Sequence, residues 1–301
     1  MSEHTNIEWC SSSWNPWHGC RKISPGCKNC YMYRDKARYG QDPTKVVRSK
    51  TTFHEPLKWP EPKLIFTCSW SDWLIEEADA WREEAYDIIR RTPQHTYQIL
   101  TKRIERAEGR VPDPPLPNVW LGVSVENQHY ADERIPRLLK TPAAVRFVSY
   151  EPALGPVDFT PWIGKTTHCC LRCGWTPIEG MERYAEIHGL EAKCLRCGDT
   201  LPNTTLDWII VGGESGPGAR PFDVQNARNT IKQCEAADVA CFVKQFGALP
   251  IDRAENWLQW RDVGAGVVTR DDDKIRVILR DKKGGDMSEW EPGLRVREYP
   301  R

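Results

Sequence analysis

Short apolar runs alternate with amphipathic stretches along most of this chain. LIFTCS (64–69), TYQILT (96–101), VWLGVSV (119–125), VRFVSY (145–150), DWIIVGG (207–213) and ACFVKQF (240–246) are dominated by Val, Ile, Leu, Phe, Tyr and Trp. Strands that are apolar nearly throughout, rather than alternating, are buried on both faces, as in a parallel sheet. Between them the period changes. In DWLIEEADAWREEAYDIIRR (72–91), Trp73, Ile75, Ala78, Trp81, Ala85, Ile88 and Ile89 fall roughly on one helical face. ADERIPRLLK (131–140) and DVQNARNTIKQCEAAD (223–238) predict two more helices, and NIEW (6–9) the first strand. Repeated strand–helix units predict an α/β protein, a partial (β/α) TIM-like barrel spanning 1–163 and 207–250.

Two segments break the rhythm. Residues 164–206 carry HCCLRCGW and AKCLRCGD and read as an insertion. Residues 251–301 are rich in Arg, Asp and Gly, with a strand-like KIRVIL (274–279), and read as a C-terminal appendage. Polar residues follow each strand: Ser69 and Asp72; Thr101, Lys102 and Arg103; Ser124, Glu126 and Asn127; Glu151; Glu214 and Ser215; Lys244 and Gln245. Wet loops would explain one such case. Six in succession point to the strand ends of a parallel barrel where chemistry is done.

Composition narrows the reading. The chain has 301 residues, long enough to bury a core without staples. Its 42 Lys and Arg balance 42 Asp and Glu, so no global basic field advertises a nucleic-acid partner. No run approaches the roughly 18 apolar residues of a membrane span, and MSEHTNIEW has no apolar leader. A cytoplasmic protein without a membrane partner is expected. In that compartment thiols stay reduced, so the 12 cysteines are better metal ligands than bridges. The 14 Trp are best assigned to the core.

The cysteines form two different sites. Cys170-x2-Cys173 and Cys194-x2-Cys197, each followed by Gly, have the spacing of a closed four-thiolate structural zinc site in a zinc-ribbon-like insertion. Cys169 can stand in for Cys170. The opening loop, Cys20-x6-Cys27-x2-Cys30, offers three thiols. Three thiolates on a four-iron cubane leave one iron open to an external molecule. The alternatives are a zinc ion completed by His18, Cys10 as a fourth ligand, and unligated cysteines. Gly19, Gly26 and Pro25 suit a backbone wrapped closely around a bulky group.

A cysteine triad ending in C-x2-C-aromatic at the start of a (β/α) barrel resembles the radical S-adenosylmethionine (SAM) superfamily, although its usual first gap is three residues rather than six. More closely, IEWCSSSWNPWHGC, SPGCKNCY, ILTKR, WLGVSVEN, FVSYEPALGP, IIVGGESGPGARP, FVKQFG and LRVREYP are similar to a phage- and prophage-associated family with a "three-Cys motif". The resemblance implies a barrel of the radical SAM type. It implies a [4Fe–4S] cluster on Cys20, Cys27 and Cys30, and reductive SAM cleavage to a 5′-deoxyadenosyl radical. It also implies an external electron donor. Tyr31 maps onto the aromatic position beside the adenine. Ser69 and Asp72 stand where the superfamily holds the SAM amino group, and Ser124 and Glu126 where it meets the ribose. Glu151, Glu214 and Lys244 complete the expected SAM-binding set. Lys102, Arg103, Arg220, Lys244 and Gln245 would make the mouth locally positive, or else pair with Glu126, Glu151 or Glu214. Gly212-Gly213-Glu214-Ser215-Gly216 is either a close approach to a ligand or a plain turn; it lacks the dinucleotide spacing.

Three functions follow. The first is a radical SAM enzyme acting on a substrate such as a nucleobase in DNA or RNA, in modification or repair, with a Trp-rich mouth receiving the base. The second is a metal-stabilised nucleic-acid-binding module without catalysis. The third is an iron–sulfur protein that does not use SAM.

Overall fold

A computed structural model of the chain describes residues 5, 7–164, 205–271 and 273–301. The four cysteines of the expected zinc insertion, and Cys169, lie outside the described residues. Seven strands form one sheet: β1 (Ser12–Trp14), β2 (Leu64–Thr67), β3 (Thr96–Thr101), β4 (Val119–Ser124), β5 (Val145–Tyr150), β6 (Trp208–Gly212) and β7 (Ala240–Gln245). They lie side by side in chain order, and every pairing is parallel. The sheet curls into a half-barrel whose first and last strands do not meet.

The helices are α1 (Tyr31–Arg38), α2 (Asp79–Arg91), α3 (Gln128–Lys140), α4 (Val224–Ala237) and α5 (Trp257–Asp262). α2, α3 and α4 cover one face, where Ile65, Tyr97, Ile99, Leu121, Val123, Val148, Ile209, Val211 and Val243 point into the larger core. The opposite face carries a second apolar cluster of Phe66, Phe147, Trp208, Ile210 and Phe242. The two faces explain the nearly unbroken apolar strands. Trp9 fills the second cluster, 4.6 Å from the Phe66 ring and 6.1 Å from Trp208.

That role of Trp9 corrects the reading of NIEW as the first strand. The chain turns at Glu8–Trp9 to insert the indole, and pairing begins at Ser12, opposite Ile65. α2 also begins later than the apolar period suggests. The Asp72 carboxylate accepts from the Leu74 amide at 2.9 Å, which holds 72–75 in a turn. A short 3-10 helix over Glu76–Ala78 then leads into α2. Trp73 still reaches the core, packed on Trp14, Trp17 and Tyr86. α3 opens with Asn127, whose side-chain oxygen accepts from the Tyr130 amide, and α4 with Asp223, which accepts from Gln225.

The C-terminal segment builds a four-stranded sheet from Gly266–Asp271, Lys274–Ile278, Pro250–Arg253 and Phe222–Asp223, in that order. It is pinned to the barrel edge. Arg297 bridges to Phe242 of β7, the Glu298 carboxylate accepts from the Cys241 amide at 3.1 Å, and the Trp208 indole donates to the Glu298 carbonyl at 2.8 Å. Among the described residues no helix is long and apolar enough to cross a membrane.

Candidate metal centre

The cysteine loop lies across the C-terminal ends of the strands. It leaves β1 through Trp17–His18, which pairs antiparallel with Val47–Arg48. Gly19 follows at φ +99°, where a side chain would be strained and would collide with the Lys45 carbonyl. The Cys20 amide donates to the Pro43 carbonyl at 2.9 Å. A 3-10 turn over Pro25–Cys27 brings the chain round, and Cys30 stands at the N-cap of α1.

Three buried or half-buried acid–base clusters, each rooted in a different strand end, hold this loop. Beyond β2 and β3, Asp72 accepts from the Thr101 hydroxyl (2.7 Å) and the Lys102 amide (2.8 Å) and pairs with Arg103 at 3.1 Å. Arg103 in turn donates to the Arg21 carbonyl (2.9 Å) and lies 3.8 Å from the Cys20 sulfur. Beyond β4, Glu126 has a fully buried side chain. Ser24 Oγ donates to it at 2.6 Å and is itself 3.6 Å from the Cys27 sulfur. Lys102 (2.6 Å) and Arg134 (3.2 Å) neutralise the Glu126 carboxylate. Gly26 packs on it so closely that an added Cβ would collide with the carboxylate. Beyond β6, Glu214 is gripped by Arg220 at 2.7 and 3.0 Å and accepts from Asn29 at 2.9 Å, while Arg220 also donates to the Pro25 carbonyl.

The three thiols belong to one loop, and after burial the Cys27 charge also acts to raise Cys20 and Cys30. Burial, then Asp72, pushes Cys20 up to about 12, against the pull of Arg103. Burial also raises Cys30, opposed by the Tyr33 and Met32 amides at the start of α1. Burial acts on Cys27 too, but Lys102 and hydrogen bonds from Ile23 and Ser24 outweigh it, so this thiol lies below the usual cysteine value. All three are half-buried, and none is in a disulfide. Three partly reachable thiols of one loop fit the ligand set of an iron–sulfur cluster.

Among the described residues no three His, Cys, Asp or Glu side chains converge as ligands of one metal ion. A lone tetrahedral zinc needs its ligands within about 2.3 Å of one point; the corners of a cubane lie farther apart. Cys10 bonds weakly to the Ile7 carbonyl, and the charges acting on it most are Lys244 and Glu8. Cys68, directly after β2, is different. It is buried, which raises its thiol, and the charges acting on it are Asp72, Arg82 and then Cys20.

The residues expected around SAM divide in two. Asp72, Ser124 and Glu126 are buried, and Asp72, Glu126 and Glu214 have their carboxylates engaged by this chain's own donors. Tyr31, Ser69, Glu151 and Lys244 remain exposed or half-exposed. The Tyr31 hydroxyl donates to the Ser69 carbonyl, and Lys244 pairs with Glu151 at 3.0 Å. The basic residues of the mouth are therefore paired: Lys102 with Glu126, Arg103 with Asp72, Arg220 with Glu214 and Lys244 with Glu151. Gln245 donates to the Gly213 carbonyl. In the glycine run the close approach is internal: a Cβ on Gly213 would collide with the Phe246 carbonyl. The indoles of Trp9, Trp14, Trp17, Trp73, Trp208, Trp260 and Trp290 are fully buried, so these seven build core, while Trp70, just beyond β2, is half-buried at the mouth. Sequence reasoning passed over Ser24, Asn29 and Arg134, whose roles depend on partners about 100 or more residues away or on helix rotation. Arg134 sits inside an ordinary amphipathic helix and gives no sequence signal.

The pattern of the family described as "protein of unknown function (DUF5131)" matches residues 4–283. The chain belongs to that family. No curated protein matches the DUF5131 chain. Among solved structures, a spore photoproduct lyase complexed with dinucleoside spore photoproduct resembles it at 13% identity and a TM-score of 0.41, covering 93% of this chain and 70% of that one. A likeness that loose carries no argument about chemistry.

Proposed function

We propose that this DUF5131 protein is a radical SAM enzyme, with Cys20, Cys27 and Cys30 as the three protein ligands of a [4Fe–4S] cluster. One observation carries the reading: a single loop at the C-terminal edge of a parallel half-barrel holds three partly accessible thiols. When bound, such a cluster supplies an electron that breaks a carbon–sulfur bond of SAM. The chain's own contribution is placement. Asp72–Arg103, Glu126–Lys102 and Glu214–Arg220 fix the loop. Tyr31, Ser69, Glu151 and Lys244 are the groups with surface left to meet SAM, and Lys244 would exchange Glu151 for the SAM carboxylate.

Cys68 favours a second reading, an iron–sulfur protein closed by a fourth thiolate that ignores SAM. Anaerobic reconstitution with iron and sulfide separates them. After one-electron reduction with dithionite, addition of SAM should change the cluster's electron paramagnetic resonance spectrum and release 5′-deoxyadenosine. A cluster whose spectrum is blind to SAM sinks the enzyme reading and leaves the closed cluster. Failure to take up iron sinks both.

A further inference from the structure

The neutral total charge of this chain hides a strong local imbalance. Residues 21–50, which contain most of the cysteine loop, α1 and the segment behind it, hold nine Lys and Arg against two Asp. The rest of the chain is correspondingly acidic. The fold keeps this stretch together as one layer. Cys20 bonds to Pro43, Trp17–His18 pairs with Val47–Arg48, the Tyr33 hydroxyl donates to the Cys20 carbonyl at 2.6 Å, and the Ser49 amide donates to Pro16.

Part of the positive charge is used internally. Arg21 pairs with Glu77, Arg48 with Glu84, and Arg34 and Arg38 share Asp35. Lys22, Lys28, Lys45 and Lys50 are exposed, and none has a carboxylate partner among the described residues. Lys22 donates to the Lys28 carbonyl and lies 4.6 Å over the Tyr33 ring, so its ammonium is held at the rim of the loop beside the Lys28 backbone. Two aromatic faces stand out of the same layer, Tyr39 at 74% exposure and Tyr31 at 42%. Ile23 is its one large exposed aliphatic side chain.

We propose that this layer is a docking surface for a single-stranded nucleic acid, with backbone phosphates on Lys22, Lys28, Lys45 and Lys50 and a base stacked on Tyr39. Unpaired lysines are point charges suited to phosphates, and exposed rings stack on any base. A protein partner fits less well. Protein interfaces are depleted in lysine and centred on buried apolar anchors, and this layer offers lysines around one isoleucine. The proposal goes beyond the radical SAM reading by naming a partner class, and it stands without the cluster.

The test is fluorescence anisotropy of a labelled single-stranded DNA with the full chain, run on both apo-protein and reconstituted protein. Four phosphate contacts predict a slope of log K against log[salt] of about −3, or about 50-fold weaker binding from 50 to 200 mM salt. The double variant Lys45→Ala/Lys50→Ala, with melting unchanged, should reduce that slope by about 1.4. Tyr39→Ala should weaken binding about tenfold or more. Polyglutamate and an acidic one-electron flavoprotein are the competing occupants. No binding to DNA, a slope that the lysine variant does not alter, or a flavoprotein that binds in place of DNA and is lost in that variant, each overturns the proposal. Because binding is read on the apo-protein as well, failure of the SAM chemistry leaves this result untouched, and the reverse.

Discussion

Cys68 occupies the left-handed region at φ 56°, where a side chain is uncommon, and it is buried in the helix-side core. On the radical SAM reading this sulfur is core, not ligand. Cys68→Ala should therefore leave iron and sulfide content unchanged after reconstitution, whereas Cys27→Ala should abolish cluster uptake. Iron loss in Cys68→Ala would mean that no corner is open. Gly26 gives a complementary prediction. An added methyl collides with the Glu126 carboxylate and must displace the loop, so Gly26→Ala should load iron poorly while its melting temperature falls by only a few degrees. At this scale the sequence was readable in part. The three cysteines stood out by their spacing, and Glu126 and Asp72 by their positions after strands, there as contacts of SAM rather than anchors of the loop. That both carboxylates hold the loop was not readable, because Ser24, Lys102 and Arg134 meet only after folding.

At the level of elements, helix start points and the first strand were the places where apolar period misled. Asp72 converts the expected first turn of α2 into a separate turn, and Trp9 leaves the strand to fill the open face. The C-terminal sheet shows the same dependence on distant polar partners. Asp252 is buried on Pro250–Arg253 and accepts from Arg228 at 2.7 and 2.8 Å and from the Trp260 indole at 2.7 Å. Burial pushes its pKa up, but these donors overcome it and hold it below the ordinary value. A carboxyl with a depressed folded pKa contributes stability above its unfolded value, near about 4, and loses it as pH falls through the folded value. The melting temperature should drop on that acid limb. Asp252→Asn should cost about 2 kcal/mol at pH 7, with the difference from the parent shrinking as pH falls below about 4. A constant difference down to pH 2 would refute this account.

Across the molecule, the parallel half-barrel was legible because continuous apolar runs separated by amphipathic helices leave few other topologies. The half-barrel's open face is closed by side chains from elsewhere in the chain, and Trp9 is the largest near its centre, touching Phe66, Phe147 and Trp208. Trp9→Ala should cost about 3–5 kcal/mol, seen as a lower urea midpoint with little change in slope. The three anchors of the cysteine loop have a further consequence. Classical zinc fingers are unfolded without metal, since binding and folding are one event. Here the loop is tethered by carboxylates on strand ends, so on the proposed cluster reading the polypeptide can finish folding first and receive its inorganic guest late. Maturation then becomes a separate step, open to control by whatever delivers iron, and a chelator should strip the guest without unravelling the host.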